Sequence, residues 1–266
     1  MPAENTLQLY CYCRSPDSPE DKRFMIGQLH EGNTAVEEKR FTKILQSKTF
    51  AKDRFEHLVN GEDVTLERFR RTGLKEPILI ERMEGLGMEM PEGGLTVSDV
   101  ADMCGRTRTI DVIEVSTQTE RSMTLNEWAK YFDQPPEKRE RILNVISLEI
   151  SDTPLSQKCL RPKVVRDLDW IETVWPSDLK VKEYPRVQLY CLMSVADSYT
   201  DFHIDFGGSS VFYHLLSGEK VFYFIEPTKA NLKKYEKWSS SPDQGATFLG
   251  DEVKECVEVR IGAGTT

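Results

Sequence analysis

A mixed α+β chain is predicted, in which helices and short strands over residues 41–140 lead into a jelly roll over residues 141–266. Three observations carry this. The stretch "SYTDFHIDFGGSSVFYHLLSGEKVFYFIEP" sets short runs rich in Phe, Tyr and Val between Gly turns, and so reads as consecutive antiparallel strands in the pattern of a jelly roll. Upstream, the apolar residues change to helical spacing, as at Phe41, Ile44 and Leu45. A chain of 266 residues can also bury a sizeable core, as one large or two smaller domains.

Residues 1–40 are expected to form a loose, disordered N-terminal arm and polar linker, since "GQLHEGNTAVEEKRF" holds few apolar residues before the first helix. That helix falls in "EEKRFTKILQSKTF". A second, "TLERFRRTG", stops at Gly73, because glycine closes a helix without a side-chain penalty. "PILIER" and "IDVIEVST" read as strands, and "LTVSDVADMCG" as a helix ending at Gly105. "TLNEWAKYF" carries a capping box, with Thr124 as N-cap and Glu127 three residues on. "PPEKRER" is a linker or helix start, and "ILNVISLEIS" begins the jelly roll. No internal repeat or long low-complexity tract is present, and "KWSSSPDQG" reads as a loop.

Net charge is -9, which argues against holding nucleic acid through bulk charge and suits a basic peptide better. The Arg and Lys residues around positions 39–54 and 68–71 read as solvated helix faces. No run approaches the roughly 18 apolar residues of a membrane helix, and "MPAENTLQLY" lacks the basic and apolar regions of a signal peptide. A soluble, intracellular protein without membrane contact is expected. Six cysteines in a chain of this length do not make a disulfide framework, and suit a reducing compartment.

The chemistry is concentrated in "FHIDF". A strand alternates its side chains, so His203 and Asp205 point one way while Phe202, Ile204 and Phe206 point the other. An imidazole and a carboxylate aimed at one point supply two of the three ligands of a 2-His-1-carboxylate site for non-haem iron(II). Gly207 and Gly208 give the close backbone approach common beside such a site. His214 adjoins Tyr213 on one strand, so alternation sends it away from any pocket that Tyr213 enters. It reads as a structural histidine, and His57 as a surface or packing residue.

His203-Ile204-Asp205, with Thr200 before it and Tyr213 and Lys220 after, resembles the Jumonji C histone lysine demethylases. "YCLMSVADSYTDFHIDFGGSSVFYHLLSGEKVFYFIEPT" is similar to the PHD-finger-bearing branch almost residue for residue. The likeness continues through "ILNVISLEISDTPLS" and "DLDWIETVWP", and more faintly through "GLGMEMP" and "IDVIEVSTQ". It covers most of residues 41–266.

The resemblance implies a cupin-like double-stranded β-helix and an iron(II)- and 2-oxoglutarate-dependent dioxygenase. Its metal ligands would be His203 and Asp205. Lys220 would anchor the far carboxylate of the co-substrate, with Thr200 and Tyr213 as hydroxyl donors, because a desolvated carboxylate needs such partners. Asn144 would lie near the co-substrate, and Tyr190 would face the methylated lysine. The implied substrate is a mono- or dimethyl-lysine of a histone H3 tail or nucleosome, with repressive marks favoured, and the implied location is the nucleus. Little direct DNA binding is expected.

Two departures from the family pattern limit this. "LYCYCRSPDSPEDKRFMI" resembles the opening of a PHD finger, with Cys11 and Cys13 as its first zinc pair, but a finger needs about eight ligands and only His30 and His57 stand between Cys13 and Cys104. Most of the finger is read as missing, and zinc binding is not expected. In the family a second metal histidine follows a Gly turn on a later strand; here "VEVRIGAGTT" reaches that turn and ends at Thr266. The reading is therefore a truncated jelly roll without its closing strands, and a chain that does not turn over by itself. A non-catalytic chromatin-binding or regulatory fragment, and a Jumonji C protein hydroxylase, stand as alternatives.

Overall fold

The structure is a computed structural model that describes residues 5–13, 25–29, 40–91, 94–180 and 183–266. Its strands, in chain order, are β1 (Thr6–Cys13), β2 (Met25–Leu29), β3 (Glu56–Leu58), β4 (Ile78–Ile80), β5 (Thr109–Glu114), β6 (Thr119–Thr124), β7 (Leu143–Glu149), β8 (Tyr190–Ser194), β9 (Tyr199–His203), β10 (Ser210–Ser217), β11 (Glu219–Ile225) and β12 (Val257–Gly262). The helices that frame them are α1 (Arg40–Gln46), α2 (Leu66–Thr72), α3 (Val97–Cys104), α4 (Leu125–Phe132), α5 (Lys163–Leu168) and α6 (Lys229–Ser239).

Local sequence explains the helix ends. Thr65 caps α2 by accepting from the Arg68 N–H, and the Gly73 N–H closes it on the Phe69 carbonyl. Both α3 and α4 begin with reciprocal capping boxes, Thr96 with Asp99 and Thr124 with Glu127, which satisfy amide donors that a helix start leaves open. One face of α4 then buries Leu125, Trp128 and Ala129.

The strands form a six-stranded sheet ordered β10-β1-β8-β7-β5-β6 and a four-stranded sheet ordered β12-β11-β2-β9, both antiparallel, with β3 and β4 as a separate parallel pair. The turn from β10 to β11 crosses from one sheet to the other through Gly218, at φ 80°. A side chain there would meet the Asn5 carbonyl oxygen at 2.7 Å, so the turn is pressed onto the start of β1. Where the sheets face each other, Tyr213 and Leu215 of β10 pack against Phe222, Phe224, Val257, Val259 and Ile261. The other face of the four-stranded sheet buries Val221, Tyr223 and Ile225 with Phe248 and Trp238.

This is a mixed α+β fold with a large antiparallel sheet, compatible with the predicted jelly roll; no closed barrel forms among the described residues. It differs from the sequence reading in two places. Thr6–Cys13 and Met25–Leu29, expected within a loose arm, are internal strands: β1 lies between β8 and β10, and β2 between β9 and β11. Strand hydrogen bonds to both neighbours outweigh the polar composition around these segments. The large sheet also crosses the expected boundary at residue 140, since β5 pairs with β7 through Ile113 and Asn144. The Cys11 and Cys13 side chains, and all of His30, lie outside the described residues.

Candidate functional site

His203 ends β9, and Asp205 precedes the turn at Phe206–Gly208. Gly207 and Gly208 adopt φ of 58° and 60°, which lets the chain fold back immediately after the carboxylate. The two side chains converge, with His203 Nε2 3.6 Å from Asp205 Oδ1. His203 Nδ1 lies 2.9 Å from the Asp201 carbonyl oxygen. An Nδ1–H donated to that oxygen leaves the Nε2 lone pair turned toward Asp205, the arrangement that holds a metal-binding imidazole in one tautomer and orientation. The Asp205 side chain is 9% exposed and that of His203 36%, so the pair can be reached from solvent through the imidazole. The apolar face opposite them is only partly as expected. Phe202 is buried and Ile204 packs on the core, but Phe206 is 55% exposed, because the turn rotates it out of the strand's alternation.

Lys220 and Tyr213 form a second pair. Lys220 Nζ donates to Tyr213 Oη and lies 4.6 Å from the Tyr213 ring centroid and 5.2 Å from that of Phe222. Lys220 is 1% exposed, and this burial holds its pKa well below the ordinary lysine value and pushes that of Tyr213 well up. Asn144 and Thr200 form a third pair: Asn144 Nδ2 donates to Thr200 Oγ1 at 3.2 Å, while its Oδ1 accepts from Ser194 Oγ at 2.6 Å. Asp205 and Tyr213 line one cavity of about 260 Å³, whereas Thr200, Asn144, Lys220 and Tyr190 are not among its lining residues. The expected residues are thus gathered as pairs around the junction of the sheets rather than around one open pocket. Tyr190 is half-buried, with its hydroxyl donated to the Arg186 carbonyl at 3.3 Å.

The other two described histidines stand apart from this. His214 is 2% exposed, its Nδ1 2.8 Å from Thr266 Oγ1. His57 sits at the surface, 2.7 Å from Asp53. Burial lowers the pKa of His214 from 6.5 to about 4. The unfolded chain therefore binds a proton at this position below pH 6.5, while the folded chain stays neutral until about pH 4, so stability falls as the pH drops through that window. We expect the wild-type melting temperature to fall more steeply between pH 6.5 and 4 than that of His214→Gln, whose side chain does not titrate. Parallel curves would remove His214 as the cause.

The sequence reading did not single out Asp201, whose carbonyl orients His203, or Ser194, which holds Asn144. Asp201 lies two residues before His203, on the same face of the strand by alternation, and that was the available signal. Burial raises the Asp201 pKa, and its carboxylate accepts from the Tyr199 hydroxyl at 2.9 Å, which ties it into the core. As a donor set, an imidazole nitrogen and a carboxylate oxygen at this separation suit a first-row divalent ion. Among the described residues no group of three His, Cys, Asp or Glu side chains is placed to hold one.

No family model matches the chain. Curated relatives do. The chain is 45% identical over 236 residues to lysine-specific demethylase 7A of Danio rerio, covering 89% of this chain and 26% of that protein. It is 46% identical over 228 residues to histone lysine demethylase PHF8 of Danio rerio, covering 85% of this chain and 22% of the relative. It is 51% identical over 184 residues to JmjC domain-containing histone demethylation protein 1 of Aspergillus fumigatus, covering 68% of this chain and 13% of the relative. The chain thus spans about a quarter or less of the length of these relatives.

Proposed function

We infer, for a chain that belongs to the Jumonji C histone demethylases, that it carries the iron(II)- and 2-oxoglutarate-binding part of a nuclear histone lysine demethylase acting on mono- and dimethyl-lysine of H3 tails. The observation that carries this reading is the convergence of His203 Nε2 and Asp205 Oδ1, with Nδ1 tied to the Asp201 carbonyl. His203 and Asp205 would hold the metal. Iron(II), with 2-oxoglutarate and dioxygen, supplies hydroxylation of an N-methyl group, which ends in succinate, carbon dioxide and formaldehyde.

The chain's own residues bind and orient. Lys220 and Tyr213 offer an ammonium and a hydroxyl to a carboxylate, in surroundings where burial strengthens such a pair. Thr200 and Asn144 add hydroxyl and amide groups along β9 and β7. Tyr190, half-buried on β8, is assigned to the face that meets the methylated lysine. The acidic net charge of -9 favours a basic tail over DNA.

A second reading, a non-catalytic chromatin-binding fragment, is favoured by the count of two metal ligands among the described residues. One assay separates the readings. The chain is incubated with iron(II), 2-oxoglutarate, oxygen and a dimethyl-lysine H3 peptide, and succinate and formaldehyde are measured together. Demethylation requires formaldehyde in step with succinate, both lost in Asp205→Ala. Succinate alone would indicate a hydroxylase. Co-substrate bound without turnover would indicate a site with an incomplete ligand set, and no co-substrate binding would leave the fragment reading.

A further inference from the structure

The cavity beside Asp205 is more apolar than a short dicarboxylate calls for. Phe222, Phe224, Val259 and Ile261 of the four-stranded sheet line it, together with Val164 and Leu168 of α5. Tyr213 and Phe222 both line it, and Lys220 Nζ lies within 5.2 Å of both ring centroids. An apolar chamber with a buried cation behind its aromatic wall suits a ligand with a single charged head and a hydrocarbon tail.

We propose that this chamber binds a medium-chain monocarboxylate, its carboxylate at the Tyr213 hydroxyl to which Lys220 donates and its chain among Phe222, Phe224 and Ile261, in competition with 2-oxoglutarate. The inference rests on the reading of Lys220 as a carboxylate anchor. Size sets the chain length. An apolar cavity of about 150 Å³ accommodates benzene, so a volume of about 260 Å³ takes a chain of roughly eight to ten carbons. Each methylene buried should strengthen binding about fourfold until the chamber is full.

Calorimetric titration of the whole chain with acetate, hexanoate, decanoate, decanol and 2-oxoglutarate tests this. Affinity should climb from acetate to decanoate. Decanol should bind at least tenfold more weakly than decanoate, and decanoate should raise the apparent dissociation constant of 2-oxoglutarate. Lys220→Met should lose decanoate. Leu74→Trp, at a half-buried lining position, should block decanoate and spare 2-oxoglutarate, with melting curves confirming that both variants fold. Equal binding of decanol and decanoate, no dependence on chain length, or undiminished decanoate binding by folded Leu74→Trp would overturn the proposal while 2-oxoglutarate binding kept the anchor intact. Loss of both ligands from the wild-type chain would overturn the anchor as well.

Discussion

Leu9→Pro should lower the melting temperature by about 6–12 °C, the shift that a loss of roughly 3 kcal/mol produces in a chain of this size. Leu9 sits mid-strand in β1, opposite His214 of β10 and Cys191 of β8. Proline there removes a ladder hydrogen bond and leaves the facing carbonyl unsatisfied in a buried sheet. The cost would spread, because β1 is the link between β10 and the rest of the six-stranded sheet. Thermal unfolding followed by circular dichroism checks it. An unchanged melting temperature would mean that the N-terminal segment contributes nothing to the sheets.

The second large effect concerns the metal. Asp205→Ala should weaken Mn(II) binding, as a substitute for iron(II), by more than about 100-fold, since even groups that only support a ligand are worth 10–100-fold. Asp205 supplies the negative charge of the pair, and its removal leaves one imidazole. Asp201 does not compensate: its carboxylate is bonded to Tyr199 and its charged form is disfavoured by burial. Titration followed by electron paramagnetic resonance gives the affinity directly. Equal Mn(II) affinity in the variant would place the metal elsewhere.

Much of the fold is legible where it is local. The run from Tyr199 to Ile225 reads as strands because its alternation and Gly turns mark where each strand runs and stops, although β9, β10 and β11 pair with β2, β1 and β12 rather than with one another, and the capping boxes at Thr96 and Thr124 report helix starts within four residues. The placement of β1 and β2 is not legible, since their partners come from the far end of the chain and no local pattern encodes such a choice. Arg139 makes the same point at one residue. "PPEKRER" reads as a linker or helix start, yet Arg139 within it is 3% exposed and donates to the Phe132 carbonyl at 2.9 Å. Of the candidate site, the convergence of His203 and Asp205 follows from local alternation. The division of Thr200, Asn144, Tyr213 and Lys220 into separate pairs depends on how two sheets meet, which spacing along the chain does not specify.

The central claim is that His203 and Asp205 hold a divalent ion beside a carboxylate anchor at Lys220, so that metal and co-substrate bind together. Its most direct test is the affinity for 2-oxoglutarate, measured calorimetrically with and without Mn(II), in the wild-type chain, Lys220→Met and Asp205→Ala. Loss of one partner of a buried charged pair costs about 2–5 kcal/mol, or roughly 30-fold upward. The account predicts Mn(II)-dependent binding in the wild type, a loss of at least that size in Lys220→Met, and no metal dependence in Asp205→Ala. Binding that ignores Mn(II) and persists unchanged in Lys220→Met would contradict it.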